Sequence, residues 1–310
     1  MHQLDVAVAQ IVGAREYQED AAAHMTPDGG TIVRTFAGVQ PDAALASGRL
    51  MPADAMLCVI ADGMGGHAAG DVASQLICDA FLDKMIAIYR DANGRADPAA
   101  GRLRAALNAS NLAVAYAIEE DDALTGMGAT LIGLEFRGAA SDEPTTQPLD
   151  AERAIAQTDR SETAGTVGGV TVNWVSVGDS PLYLVRDRDI VQLNEDHSLA
   201  PALDKLVAEG RMTPEAARQD SRRHMLRSAI TGETIELIDV SRKALELEEG
   251  DVVIAATDGV ETLEPGEIAR IATGYASDGA HAMTAALLRA VSEAREAHQD
   301  NATVLAVRVV

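Results

Sequence analysis

Acidic residues follow short apolar runs at several places in this chain. One strand-like apolar run ends in Asp62 and Gly63, a second ends in Asp258, and a third leads to Asp179. Asp300 stands just before the last apolar run. Because Mg²⁺, Mn²⁺ and Ca²⁺ prefer carboxylates, carbonyls and water, acids repeated at strand ends indicate a hard-cation site assembled by folding. For any one of these acids the alternative is ordinary turn chemistry, since Asp-Gly is a common turn.

Two further side chains could act on a phosphate group. Arg15 has planar donors that can grip a phosphate through two hydrogen bonds, which Lys could not reproduce. Its alternative is a surface ion pair with Glu16 or Glu19. His67 titrates near neutrality and is a candidate general acid for a leaving oxygen, or else a helix-start histidine without a chemical role.

Other kinds of phosphate or metal site fit less well. The glycines in residues 63–66 precede a predicted helix, as in phosphate-binding loops, but the Lys-Ser/Thr ending of a nucleotide P-loop is missing. The chain has only two cysteines, Cys58 and Cys78, and no paired histidine spacing, which argues against a soft-metal site.

The elements that must position these residues can be read from apolar spacing. Helical spacing extends from Ala69 to about Tyr89, from about residue 98 to 120, and from 280 to 297. Predicted strands outnumber the helices, and the helices do not alternate strictly with strands. This pattern favours a layered α+β domain over a doubly wound parallel sheet.

Composition excludes several classes of function. The chain has 25 Lys and Arg against 48 Asp and Glu, a formal net charge of −23, which disfavours binding to nucleic acid or to anionic membranes. Aromatic residues make up 3%, leaving little material for stacking bases or sugars. Two cysteines are too few for a disulfide framework, and no apolar stretch of about 18 residues occurs. We therefore expect a cytoplasmic protein in a reducing compartment, with no membrane partner.

Seven short motifs occur in an order that resembles the metal-dependent type 2C serine/threonine protein phosphatases in their bacterial form. The motifs are residues 15–20 (REYQED), 62–67 (DGMGGH), 128–130 (GAT), 178–180 (GDS), 226–232 (LRSAITG), 257–259 (TDG) and 300–301 (DN). Each motif alone is weak, but seven in order from about Val6 to Val310 form a strong signal. The resemblance implies one phosphatase domain over residues 1–310. Its fold would be a central antiparallel β-sandwich flanked by helices on both sides, four layers in all.

The resemblance also assigns roles to residues. Asp62 would bridge two Mg²⁺ or Mn²⁺ ions and the Gly63 carbonyl would bind one of them, while Asp258 and Asp300 would complete the other shell. Arg15 would bind the substrate phosphate and His67 would act as the general acid. The remaining implied metal-site residues are Glu19, largely through water, and Asp20.

One position departs from the family pattern. Many members carry a second Asp four residues after the one that corresponds to Asp258, and it helps to bind a third, weaker metal. This chain has Thr262 there, with Glu261 beside it. The resemblance therefore implies two ions and leaves the third open.

The activity implied is hydrolysis of phosphoserine and phosphothreonine by a water activated at a dinuclear Mg or Mn centre. Phosphorylated proteins would be the substrates, with a serine/threonine kinase and its targets as partners. The alternatives are a catalytically weak member acting as a signalling or binding module, and a small-molecule phosphatase.

Two segments stand out from the rest of the domain. Residues 138–169 contain almost no large apolar side chain, which predicts a mobile loop inserted between two adjacent strands, either a tolerated insertion or a regulatory element. Residues 195–232 read as mainly helical and polar. By resemblance they form a flap beside the active site.

Overall fold

The computed structural model describes residues 3–25, 33–34, 47–50, 55–65, 69–138 and 169–310. Two predictions lie outside these residues: His67, and the inserted loop at all but its first and last residues, 138 and 169.

Strands and helices have the following bounds in the described ranges. The strands are β1 (Leu4–Ile11), β2 (Asp20–Met25), β3 (Val33–Arg34), β4 (Ser47–Leu50), β5 (Met56–Met64), β6 (Gly128–Ala129), β7 (Leu131–Gly138), β8 (Val170–Val177), β9 (Leu182–Arg186), β10 (Asp189–Gln192), β11 (Asp239–Val240), β12 (Leu245–Leu247), β13 (Val252–Ala256) and β14 (Ala302–Val309). The helices are α1 (Ala69–Arg90), α2 (Ala92–Ala96), α3 (Ala99–Glu120), α4 (Ala200–Ala208), α5 (Pro214–Gln219), α6 (Pro265–Gly274) and α7 (Ala280–Ala294).

The strands form two antiparallel sheets. A six-stranded sheet has the order β10-β9-β13-β14-β1-β4, so the first and last strands of the chain are central neighbours. An eight-stranded sheet has the order β11-β8-β7-β5-β2-β3, with β12 also paired to β8 and β6 to β5. The segment after β1 reverses direction and enters β2 in the other sheet.

Alternation along β5 shows how the layers are built. Leu57, Val59 and Ala61 pack in a core shared with α1 and α3. Met56 and Ile60 pack in a second core between the two sheets. Because successive side chains of a strand point to opposite faces, burial on both faces explains why β5 is a continuous apolar run. The same alternation turns Asp62 toward the space between the sheets.

A third core covers the outer face of the six-stranded sheet. Ile254 of β13 and Val304 of β14 pack there against Ile268 of α6 and Leu287 of α7. Helices therefore cover both outer faces, and the predicted four-layer α+β sandwich is confirmed. The layers bring the ends of β5, β13 and the start of β14 to one edge.

The segment 195–232 contains the short helices α4 and α5 joined by turns. α5 begins at Pro214, and the Oγ1 of Thr213 accepts a hydrogen bond from the Ala216 N–H (3.1 Å), as the Thr-Pro-Glu sequence predicts. No helix of the described ranges is long and apolar enough to cross a membrane.

Candidate metal centre and active site

Asp20 and Asp62 are direct cross-strand neighbours at the edge of the sandwich. The β2–β5 register pairs them. Two residues farther from this edge, Ala22 and Ile60 pair in the same register and both pack in the core between the sheets. Since side chains two apart on a strand share a face, both carboxylates are directed into the space between the sheets.

The Asp62 backbone is fixed by Thr130, which lies between β6 and β7. Its N–H donates to Thr130 Oγ1 (3.0 Å), and the Thr130 N–H donates to its carbonyl oxygen (2.9 Å). Thr130 Oγ1 in turn lies 2.7 Å from Ser180 Oγ. These bonds fix the backbone of Asp62 and so orient its carboxylate.

The carboxyls of Asp62 and Asp258 lie near enough for each to affect the pKa of the other. Burial, followed by the charges of Asp20, Asp258, Asp179 and Asp300, raises the pKa of Asp62 well above its usual range. Burial, together with the charge of Asp300, also raises the pKa of Asp258. Two neighbouring carboxylates in a dry site cannot both ionise at low cost, and a bound cation would remove that cost.

Asp20 offers an oxygen that protein groups leave unsatisfied. Its Oδ2 accepts hydrogen bonds from Thr257 Oγ1 (2.9 Å) and Thr303 Oγ1 (2.7 Å). Its Oδ1 is buried and has no hydrogen-bond partner within the part of the chain that the structure describes. Burial raises the pKa of Asp20 to about 7. A buried carboxylate oxygen without a partner is costly, which fits a ligand directed at a cation or an ordered water.

The segments that carry Asp258 and Asp300 lie against each other. A Cβ on Gly259 would overlap the carbonyl oxygen of Asn301, so only glycine allows this approach. Asp258 follows β13 directly, and Asp300 precedes β14, the neighbour of β13 in the sheet.

Asn301 organises the loop that carries Arg15 and Glu19. Its Nδ2 donates to the carbonyls of Val12 (2.8 Å) and Tyr17 (2.9 Å), and its Oδ1 accepts from the Glu19 N–H (2.8 Å). The loop therefore lies over the start of β14.

Arg15 forms an ion pair with Asp300, not with Glu16 or Glu19 as the surface alternative predicted. The side chains of Arg15 and Asp300 are 52% and 38% exposed, so the pair stands at the mouth of the site. An anionic phosphate arriving from solvent meets this guanidinium first.

Gly63 allows three backbone segments to meet. Its N–H donates to the carbonyl oxygen of Glu19 (3.2 Å), and a Cβ would overlap both this oxygen and the carbonyl oxygen of Gly70 in the first turn of α1. A Cβ on Gly70 would overlap Glu19 Oε1. Burial raises the pKa of Glu19, whose carboxylate packs against the start of α1.

Several residues of this region were not assigned a role from the sequence. Asp179 is one, and burial together with the charge of Asp258 raises its pKa to about 7. The sequence could have indicated Asp179, because it follows an apolar strand just as the assigned acids Asp62 and Asp258 do. Thr257 and Thr303 are two more such residues. The sequence could have indicated them as hydroxyl side chains on the inward face of apolar strands.

The position of the missing family Asp is occupied by a structural hydrogen bond. Thr262 donates to Gln299 Oε1 (2.7 Å), and Gln299 Nε2 donates to the Gly259 carbonyl (2.8 Å). His197, part of the neighbouring segment, is buried, and its Nδ1 accepts from the Gly178 N–H (3.2 Å). Both side chains fix backbone turns around the acids.

The donor set suits a hard cation. Among the described residues no three Asp, Glu, His or Cys side chains converge into a finished metal cage. The buried, mutually interacting carboxyls of Asp62 and Asp258, and the Asp20 oxygen that no described group bonds, are nevertheless what oxygen ligands of a divalent ion present. The described thiols, Cys58 and Cys78, are buried in the cores.

Comparisons with known proteins agree with this geometry. A sequence model described as protein phosphatase 2C matches residues 42–306. The serine/threonine protein phosphatase PstP of Mycobacterium tuberculosis is 32% identical over 208 residues, which cover 67% of this chain and 32% of PstP. This chain thus spans about a third of the length of that relative. The protein phosphatase PhpP of Streptococcus pneumoniae is 27% identical over 218 residues, or 70% of this chain and 72% of PhpP.

Solved structures show the same fold. The crystal structure of the M. tuberculosis phosphatase PstP/Ppp has a TM-score of 0.66 at 25% identity and covers 99% of this chain and 98% of that one. A structure of the PstP catalytic domain in complex with two manganese ions has a TM-score of 0.58 at 25% identity, with full coverage of both chains.

Proposed function

The chain belongs to the protein phosphatase 2C family, and from that premise we propose that it hydrolyses phosphoserine and phosphothreonine in proteins. The proposal draws on the relatives, which are named as serine/threonine phosphatases. We propose residues 1–310 as a single phosphatase domain, with residues 195–232 as its flap.

We propose two Mg²⁺ or Mn²⁺ ions as cofactors. Asp62, the Gly63 carbonyl, Asp258 and Asp300 would hold them, while Asp20 and Glu19 would act nearby. When bound, such ions activate a water and neutralise the charge of the phosphoryl oxygens. The single observation that carries this assignment is the buried Oδ1 of Asp20, which has no hydrogen-bond partner among the described residues and which the β2–β5 register places beside Asp62.

The chain's own residues divide the remaining work. Arg15 would exchange its carboxylate partner, Asp300, for the substrate phosphate, which its planar donors can bind through two hydrogen bonds. Thr130 would keep Asp62 in position through the backbone bonds on both sides of that residue. We propose His67 as the donor of the proton that the leaving serine or threonine oxygen requires.

The test is the variant Asp258→Asn, with Asp189→Asn as a matched control because Asp189 is exposed at the start of β10. Even partners outside the first coordination sphere change metal affinity or activity by about 10- to 100-fold, so loss of a direct ligand should cost at least about 100-fold. Calorimetric titration with Mn²⁺ and turnover of p-nitrophenyl phosphate with and without EDTA would measure both effects. Wild-type affinity and turnover in Asp258→Asn would contradict the metal assignment.

Two other outcomes would redirect the proposal. Mn²⁺ binding without turnover of any phosphopeptide would favour a signalling module of the same fold. Efficient turnover of small phosphorylated metabolites, but not of phosphopeptides, would favour a small-molecule phosphatase.

We further propose that the protein opposes a serine/threonine kinase in the cytoplasm. The chemistry of the reaction supports the first part, because a phosphatase of proteins needs a kinase to supply its substrate. Cys58 and Cys78 are buried and are not joined in a disulfide, which supports a reducing compartment. Phosphoproteomic comparison of cells with and without the gene would test both parts.

A further inference from the structure

One segment of the flap departs from the charge of the whole chain. The formal net charge is −23, yet residues 218–227 carry four arginines and one histidine against a single acid, Asp220. We call residues 218–227 the basic segment. Its cationic members are Arg218, Arg222, Arg223, His224 and Arg227.

Backbone hydrogen bonds connect the end of the basic segment to the acidic site. The Arg227 N–H donates to the His197 carbonyl (2.8 Å), and the His197 N–H donates to the Gly178 carbonyl (3.1 Å). The next residue is Asp179, one of the buried acids around Asp258. Two backbone hydrogen bonds, through His197, therefore connect Arg227 to Gly178, the residue before Asp179.

The middle of the basic segment is held beside the same acids. Arg223 opposes the rise in the pKa of Glu261 that burial causes, so its guanidinium lies near this carboxyl. Arg223 is oriented by two hydrogen bonds to the Asp204 carboxylate of α4 (2.8 and 3.0 Å). The segment thus lies along one side of the mouth.

The cationic groups are accessible to a ligand. Arg222, His224 and Arg227 are exposed. Arg222 is bonded to Asp220 (2.8 Å), whereas the Arg227 side chain has no hydrogen bond or ion pair within the described ranges. An exposed guanidinium beside an acidic site is a ready partner for a carboxylate of a bound peptide.

We infer that the basic segment binds acidic residues next to the phosphorylated side chain, so that acidic phosphopeptides are the preferred substrates. This inference rests on the proposed phosphatase function. The remaining surface, with its large negative charge, repels such peptides, and the basic segment is positioned to offset this repulsion locally.

The experiment compares three phosphothreonine peptides of equal length in the presence of Mn²⁺. They differ only in the three residues on each side of the phosphothreonine, which are Asp and Glu, Ala and Ser, or Lys. We expect the acidic peptide to have the lowest KM, with similar kcat for all three. Its KM should also rise with added NaCl, because salt screens exposed charges.

Arg227→Gln should raise the KM for the acidic peptide about two- to fivefold, the factor that one exposed ion pair contributes. Arg227→Glu should reverse the order of the acidic and lysine peptides. The matched control is Arg104→Gln, an exposed arginine near the start of α3, which should change none of these values. Turnover of p-nitrophenyl phosphate, which has no flanking residues, should be equal in all variants.

The possible outcomes distinguish a failure of the predicted peptide preference from a failure of the proposed phosphatase activity. No turnover of p-nitrophenyl phosphate or of any peptide by the wild type would refute the proposed function itself. Normal turnover with equal KM values for the three peptides, or an unchanged order in Arg227→Glu, would refute the inference alone. Binding of the basic segment to phosphatidylserine vesicles without peptide preference would also overturn it.

Discussion

Replacing Asp20 with Asn should stabilise the metal-free protein at pH 8. Asp20 is 2% exposed, and burial raises its carboxyl pKa from 3.8 to about 7, against the hydrogen bonds from Thr303 and Thr257. The folded protein therefore keeps a proton that the unfolded chain has already lost between these two pH values. Stability from this group is fully present below about pH 4 and is lost as pH rises through about 7.

The size of this effect follows from the two pKa values. The rise from 3.8 to about 7 is worth roughly 4 kcal/mol, at about 1.4 kcal/mol per pH unit. Asparagine has no charge to bury, and its side-chain oxygen can still accept from the two threonine hydroxyls. Removing this charge should also lower the pKa of Asp62, since Asp20 is the largest of the neighbouring charges that raise it. We therefore expect a gain of up to roughly 4 kcal/mol at pH 8 and little change near pH 4.

Urea unfolding in EDTA at pH 4.5 and pH 8 would measure the effect. Asp189→Asn is the control, since this exposed residue should leave the pH profile unchanged. Addition of Mn²⁺ should reverse the order, because the wild type gains binding energy that the variant partly lacks. Parallel pH profiles of wild type and Asp20→Asn in EDTA would refute the reasoning.

Two further predictions concern packing. Gly63→Ala should destabilise the protein by about 1–3 kcal/mol or more and weaken Mn²⁺ binding, because its Cβ would overlap the carbonyl oxygen of Gly70. Gly266→Ala, which has open space around it, should be neutral or stabilising. Equal behaviour of the two variants in thermal unfolding and calorimetry would contradict this prediction. Glu135→Ala should cost about 3–5 kcal/mol, because it leaves the buried guanidinium of Arg102 without its carboxylate partner (2.8 Å), and a near-neutral urea unfolding midpoint would contradict this.

The sequence predicted the strand-end acids well because the signal was local. A short apolar run such as 57–61 is typical of a central strand buried on both faces, and the acid that follows then stands where the strand ends. The helices α1 and α3 begin and end within one or two residues of the bounds that apolar spacing predicts.

The partners of these acids could not be predicted, because they are distant in sequence. The hydroxyls on Asp20 come from residues 237 and 283 positions away, and Asn301 reaches back to Val12 and Tyr17. Such contacts depend on how two sheets stack, which single-strand patterns do not specify. The pairing of Arg15 with Asp300 was missed for the same reason.

The pairing of β1 with β14 has a consequence for biosynthesis. The first strand lies between β14 and β4, so on one side it pairs with a strand that is synthesised after the other described strands. A nascent chain lacking that strand cannot close the six-stranded sheet, and the loop over it has no Asn301 to hold it. Because loop-closure entropy must be offset late, we expect the acidic edge to form only after β14 has been synthesised.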